Sequence, residues 1–251
     1  MPRSTADIAA NPNPSILIIG DSGTHKTWFA GSCPKPYIFD FDAGVSILRD
    51  VPGVEYDTFK DAPQKSKAVS PEHGIYKWGS AWPAFINRLN EIGETIDKGT
   101  CPYLTLSLDS VTTMADICMN YVLFSDSPTY TGGIQVQHWG SQIQLLSKVF
   151  DQLSSWPLIK VVTAHIQRNT NDLTQVTEML PLITGKLAGK MPIYFDEVYY
   201  TTVGKGEDGK RIFKLTTEGT SMMKQAKSRF GVPDGTEAKW SAVAPFLGKA
   251  A

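Results

Sequence analysis

The segment with the clearest chemical content is Gly20-Asp21-Ser22-Gly23-Thr24-His25-Lys26-Thr27, followed by Trp28. It follows the pattern G-x-x-x-x-G-K-[ST], in which a bare-backed turn between strand and helix aims backbone N–H groups at phosphates. The lysine reaches the β- and γ-phosphates, and the hydroxyl of the last residue binds Mg²⁺. Residues 20–28 are therefore expected to hold ATP, with Thr27 as a Mg²⁺ ligand. One position departs, because His25 stands where the pattern keeps its second glycine. A Cβ and an imidazole at a bare-backbone position predict a shifted turn or a reduced affinity.

Such a loop needs an acid at the tip of a neighbouring strand to hold Mg²⁺, usually through water. Asp109, ending the run YLTLSL, fits that role; alternatively Asp109 or Ser110 caps the helix that follows. Hydrolysis also needs a group that orients or deprotonates the attacking water. Asp40 and Asp42 close the run PYIFDF, and alternation puts both on one strand face. Asp42, nearer the tip, is the candidate, set against an ordinary strand-end turn. His165 follows the run LIKVVTA and is placed either to sense a γ-phosphate or to cap its strand. Lys227 and Arg229 share a face on an extended segment. There they form either a cationic pair for a neighbouring subunit's nucleotide or a solvated basic tail.

These residues need a scaffold that brings strand tips together. The run 15–19 (SILII) is wholly apolar and β-branched, the pattern of a strand buried on both faces. The runs 36–41, 103–108 and 158–164 read as further strands, and 26–31 opens a helix ended by glycine. Helical stripes cover 82–98, 112–124 and 142–156. Residues 51–80 carry no periodicity and read as loop or insertion; 125–140 and 167–190 read as loops. The runs 196–203 and 211–216 flank a glycine-rich tip and predict a hairpin. Apolar strands alternating with amphipathic helices predict an α/β fold, its mainly parallel sheet covered on both faces, with this hairpin adding antiparallel strands. The expected layout is a flexible leader over 1–14, a core over 15–235 and a tail over 236–251.

Composition agrees with a soluble domain: 251 residues, 41% hydrophobic, 20% charged, net charge −1. Wholesale disorder is excluded, and any nucleic-acid contact must come from a local patch rather than from bulk charge. Cys33, Cys101 and Cys118 lack metal or redox spacing and read as reduced, partly buried thiols. No apolar run approaches the roughly 20 residues needed to span a bilayer, and 1–14 has no signal-peptide core, so the expected location is cytoplasmic.

The order GDSGTHKT, YIFDFDAG, LTLSLDSVT, VVTAHIQ, PLITGKLAGKMPIYFDEVYY and AKSRFGVP resembles phage-encoded RecA-core P-loop ATPases of the Sak type, single-strand annealing and recombination proteins. The likeness spans roughly 15–235, and the stretch from VVTAH through FDEVYY with AKSRFG narrows it. It implies a RecA-like P-loop NTPase fold, ATP hydrolysis, single-stranded DNA as partner, and homo-oligomeric rings or filaments. By the same likeness Lys26 and Thr27 take nucleotide and Mg²⁺, Asp109 is the second Mg²⁺ acid, and Asp42 is the catalytic carboxylate, where the family commonly has glutamate. His165 matches the polar sensor, and Lys227 with Arg229 match a K-x-R finger supplied in trans. Strand contacts would come from 125–140, where Tyr130 and Trp139 stack on bases or pack internally, and from 167–190, with Arg168, Lys186 and Lys190. A competing expectation is a nucleotide-dependent assembly switch without DNA, favoured by the near-zero charge and by His25. A small-molecule kinase is disfavoured, because no lid-like arginine cluster is evident.

Overall fold

Along the first strand, Ile16 and Ile18 are buried in one apolar cluster and Leu17 and Ile19 in another. That is the result of strand alternation in a run without polar side chains between its ends. This strand, β1 (Ser15–Ile19), leads to α1 (Lys26–Gly31) and β2 (Pro36–Asp40). The computed structural model describes residues 13–247 except 64, 126, 128 and 174. After β2 come β3 (Glu55–Thr58), β4 (Lys60–Ala62), β5 (Ile75–Lys77), α2 (Ala81–Asp97), β6 (Thr105–Asp109), α3 (Val111–Phe124) and α4 (Val136–Ser155). The chain continues through β7 (Ile159–Ala164), β8 (Ile166–Thr170), β9 (Thr177–Pro181), α5 (Leu187–Lys190), β10 (Glu197–Lys205), β11 (Arg211–Thr216), β12 (Lys227–Ser228) and α6 (Trp240–Leu247).

The main sheet runs β11-β10-β1-β7-β6-β2-β3, with β12 also paired to β10. Strands from β10 through β3 are mutually parallel, while β11 and β12 lie antiparallel to β10. One face is covered by α2, α3 and α4 through Phe85, Leu89, Met114, Cys118, Leu146 and Phe150. The other is covered by α1 and α6 through Phe29, Ala30, Val243 and Leu247. The expected α/β fold, mainly parallel with helices on both faces and a C-terminal antiparallel hairpin, is the fold observed. Because β7 lies between β1 and β6, the tips of β1, β7, β6 and β2 stand in a row, with Ile19 beside Ala164 and Asp40 beside Asp109. In open α/β sheets ligands bind beyond the carboxyl ends of the strands.

Several expectations are corrected. The stretch 51–80 is not simply loop: β3 extends the main sheet as an edge strand, and β4 and β5 form a small parallel pair. β3 reads EYDT and is largely exposed, so it carries no apolar alternation to reveal it. The second loop, 167–190, contains the β8–β9 hairpin. The first is shorter than expected, because α4 already begins at Val136. It is capped by Gln135 and His138 in place of the usual Ser/Thr and Glu, and the Gln135 N–H donates to His138 Nδ1 at 3.1 Å. The segment expected as a tail carries α6, which buries Val243 and Leu247. The expected leader, 1–14, lies almost wholly outside the described residues. The cysteines are free thiols, with Cys33 and Cys118 buried. Among the described residues no helix is long and apolar enough to cross a membrane.

Candidate functional site

β1 runs directly into Gly20, whose N–H donates to Ala164 O at 3.0 Å. Glycine is required there, since a Cβ would lie 1.9 Å from Thr201 Oγ1 and 2.5 Å from Thr24 Oγ1. Those hydroxyls share a hydrogen bond of 2.6 Å, which ties the loop to β10. Gly23 adopts φ 73, the region glycine enters freely. Lys26 folds back beneath the turn, and its Nζ donates to Gly20 O at 3.0 Å and Asp21 O at 2.8 Å. The loop is thus curled around its own ammonium. Lys26 is only 6% exposed; burial draws its pKa down, against the pull of Asp109, Asp42 and Asp21.

His25 takes φ 69 and ψ 18 immediately before α1. A left-handed backbone costs a non-glycine residue roughly 1–2 kcal/mol. The imidazole lies flat on Phe213 of β11, with ring centroids 3.4 Å apart and planes 13° apart, and such pairs offset about 0.5–1.5 kcal/mol. Histidine here holds a left-handed backbone conformation that suits glycine, and its ring goes to the hairpin.

Asp109 is buried at the tip of β6, 1% exposed. Thr27 Oγ1 donates to its Oδ2 at 2.6 Å, and Thr163 Oγ1 to its Oδ1 at 2.5 Å. Burial pushes the Asp109 carboxyl up, and the hydrogen bonds from Thr163 and Thr27 work against that rise. Neither acid nor hydroxyl is spent on capping. Ser110 sits at the N-cap of α3 without a capping bond, and its Oγ donates to Asp42 Oδ1 at 3.2 Å. A hydroxyl and a carboxylate in contact are hard oxygen donors of the kind Mg²⁺ takes alongside water and phosphate oxygens. The residues fit the ion.

Asp40 and Asp42 do not share a strand face as expected: β2 ends at Asp40, Asp42 lies in the bend that follows, and their environments differ. Asp42 lines the cleft, with Oδ2 at 3.1 Å from His165 Nε2 and Oδ1 accepting from Ser110 and Thr113. Burial pushes its carboxyl up, but the bonds from His165, Thr113 and Ser110 outweigh this and hold it below the usual carboxylate range. Asp40 lies deeper, accepting from Gly44 N–H at 3.0 Å and Thr58 Oγ1 at 3.2 Å, and so fixes the turn that presents Asp42. Its burial pushes the carboxyl up to about 6. His165 is anchored through its backbone, because its N–H donates to Thr112 Oγ1 at 3.0 Å and its O accepts from Leu182 N–H at 2.8 Å. Arg168, expected in a DNA loop, pairs with Asp21 on the phosphate loop at 2.5 and 3.1 Å. Both partners are about half exposed, so the pair orders the rim more than it stabilises the fold.

These groups surround a cleft of about 490 Å³, lined also by Trp28, Phe41, Ile47 and Lys60. That volume falls within the roughly 300–1,000 Å³ of small-molecule sites. Lys227 and Arg229 are not brought to it. β12 pairs with Glu197 and Val198, and Glu197 lies beside Ile16 at the opposite end of β1 from the phosphate loop. Roughly 13 Å of strand separates the two ends. Lys227 Nζ donates to Pro192 O at 2.8 Å, and Arg229 Nη1 pairs with Asp196 at 3.1 Å. Sequence reading missed Thr163, Thr113, Thr201, Lys60 and Phe213. Thr163 was within reach, since it lies two residues before His165 at the end of the same apolar run. Lys60 gave no signal in its aperiodic stretch.

A mainly parallel sheet, a lysine-bearing loop at its tip and a hydroxyl–carboxylate pair beside it define a P-loop NTPase fold. Residues 12–230 match a protein family described as AAA domain, and the chain belongs to that family of nucleotide-binding ATPases. No protein of curated function matches it.

Proposed function

We propose that the protein is an ATP-hydrolysing, RecA-like protein of the Sak type that binds single-stranded DNA and promotes annealing or recombination as a homo-oligomer, in a phage context. The observation that carries the nucleotide half is the buried Lys26 enclosed by its loop beside the Thr27–Asp109 pair, with Asp42 and His165 facing the same cleft. In this reading residues 20–28 hold the triphosphate, while Thr27 and Asp109 hold Mg²⁺. The ion neutralises charge on the β- and γ-phosphate oxygens when bound. Asp42, held ionised by its hydrogen bonds, orients the attacking water rather than acting as a strong base, and His165 reports on the γ-phosphate. Lys227 and Arg229 serve a neighbouring subunit's nucleotide, since their own loop lies at the other end of the sheet.

The DNA half is supported by the resemblance and by the hairpin of β8 and β9, which carries Arg168 beside the cleft. Trp139 is 40% exposed and free to stack. Tyr130 packs edge-on against Phe124 and His138 and is assigned no base. A net charge of −1 requires any strand contact to be local and strongly salt-dependent.

The test is steady-state ATP hydrolysis with and without single-stranded DNA at low salt, alongside the mass of the assembly. The expected result is hydrolysis accelerated by DNA, ATP binding lost in Lys26→Ala, and binding kept but turnover reduced in Arg229→Ala. If Lys26→Ala binds ATP like the parent, the site is wrongly assigned. If nucleotide alters assembly while DNA alters neither assembly nor turnover, the DNA role falls and an assembly switch replaces it.

A further inference from the structure

Position 25 is where the phosphate loop departs from a bare backbone, and the hairpin of β10 and β11 meets the loop there. The φ of 69 at His25 is one that L residues resist. Against its imidazole lies Phe213 at 3.4 Å, nearly coplanar, with Trp28 at 5.9 Å and tilted. Phe213 is itself fixed. It pairs with Val203 across the hairpin, its carbonyl accepts Ala238 N–H at 2.9 Å, and it packs against the cluster containing Ile16, Phe29 and Leu215. The Arg211 guanidinium lies 5.9 Å from the same ring. Burial and the Arg211 charge keep the His25 pKa below its ordinary value. A second tie falls on the adjacent residue, where Thr24 Oγ1 meets Thr201 Oγ1 of β10 at 2.6 Å. The hairpin therefore grips the loop at successive residues.

We propose that Phe213 is a positioning residue for the phosphate loop: by stacking on His25 it holds the left-handed turn that glycine would hold unaided, and so makes the C-terminal hairpin part of the nucleotide site. The inference rests on the reading that this loop binds a triphosphate. It requires that nucleotide affinity depend on Phe213 only while residue 25 bears a side chain.

The experiment is a double-mutant cycle with Phe213→Ala, His25→Gly and their combination. It is read by the dissociation constant of ATP-Mg²⁺ and, without nucleotide, by amide hydrogen exchange over 20–27. In the parent, Phe213→Ala is expected to weaken ATP binding by about three- to tenfold and to speed exchange. In the His25→Gly background the same change is expected to alter affinity by less than about twofold. Phe213→Leu, which keeps apolar bulk on β11 without a ring, runs the same cycle if the alanine variant fails to fold. Equal losses in both backgrounds, or no loss in the parent, overturn the proposal. If Lys26→Ala binds ATP as the parent does, it is the nucleotide reading that fails, and the exchange rates alone then decide whether the stack holds the loop.

Discussion

Asp40→Asn isolates the cost of a buried carboxylate beneath the catalytic candidates. Asp40 is fully buried, and that burial raises its pKa from 3.8 to about 6; Asp109, opposite it on β6, opposes its ionisation as well. The folded chain therefore holds this proton more tightly than the unfolded chain does. The group's stabilising contribution is full below pH 3.8, declines as pH rises towards about 6, and is gone above that. At about 1.4 kcal/mol per pH unit, the decline amounts to about 3 kcal/mol. Asparagine keeps the planar shape and an oxygen for the Gly44 N–H but does not titrate. Any constant cost of its altered hydrogen bonds is the same at every pH and cancels in the comparison. Urea unfolding of parent and variant without nucleotide or Mg²⁺, from about pH 4 to about pH 8, measures the difference. The variant is expected to gain about 2 kcal/mol on the parent across that range, because part of the decline lies below about pH 4. Stability curves that stay parallel to within about 1 kcal/mol would refute a raised Asp40 pKa, and with it the assignment of Asp40 as a buried, readily protonated support for the Asp42 turn.

Gly20→Ala places a Cβ 1.9 Å from Thr201 Oγ1 and is expected to cost about 1–3 kcal/mol in thermal unfolding. Adding Thr201→Ala should recover part of that loss, and an unaltered melting temperature in the single variant would contradict the close approach. Thr163→Val keeps the strand's shape but strips the hydroxyl from Asp109 Oδ1. It is expected to destabilise by about 1.5–3 kcal/mol while the carboxylate is charged and to raise the Mg²⁺ concentration needed for nucleotide binding, both measurable by denaturation and by titration at varied Mg²⁺.

What could be read from sequence was whatever depended on local pattern. The strands β1, β2, β6 and β7 are apolar runs that declare their burial, and each leads at or just past its end to a residue of the candidate site: Gly20, Asp42, Asp109 and His165. The hairpin of β10 and β11 was legible from its glycine-rich tip. β3 was hidden because its side chains are polar and largely exposed, and β8 because IQRNT carries no apolar alternation. The consequence of His25 was hidden for a different reason. A histidine in place of glycine reads locally as a defect, and its compensating ring arrives from Phe213, on a strand far along the chain. Likewise Asp40 and Asp42 look equivalent by alternation, and only packing against Thr58 and Gly44, or against Ser110, Thr113 and His165, separates a support from a cleft residue.

The spacing of the cations bears on what one copy of the chain can do alone. Phosphoryl transfer accumulates negative charge on the equatorial oxygens and the leaving group, and catalysis consists mostly of positioning and of positive charge. Among the described residues lining the cleft, the permanent cations are Lys26, drawn into its own loop, and Lys60 on β4. Arg168 stands at the rim but is committed to Asp21. The Lys227–Arg229 pair is at the far end of the sheet, where no rearrangement short of unpairing β12 from β10 would carry it to its own nucleotide. On the proposed reading, then, binding is complete within one protomer, whereas turnover is not. On that reading the residues that hold nucleotide and the Lys227–Arg229 pair lie at opposite ends of the strands of one sheet, so the pair serves only a nucleotide held by a neighbouring copy.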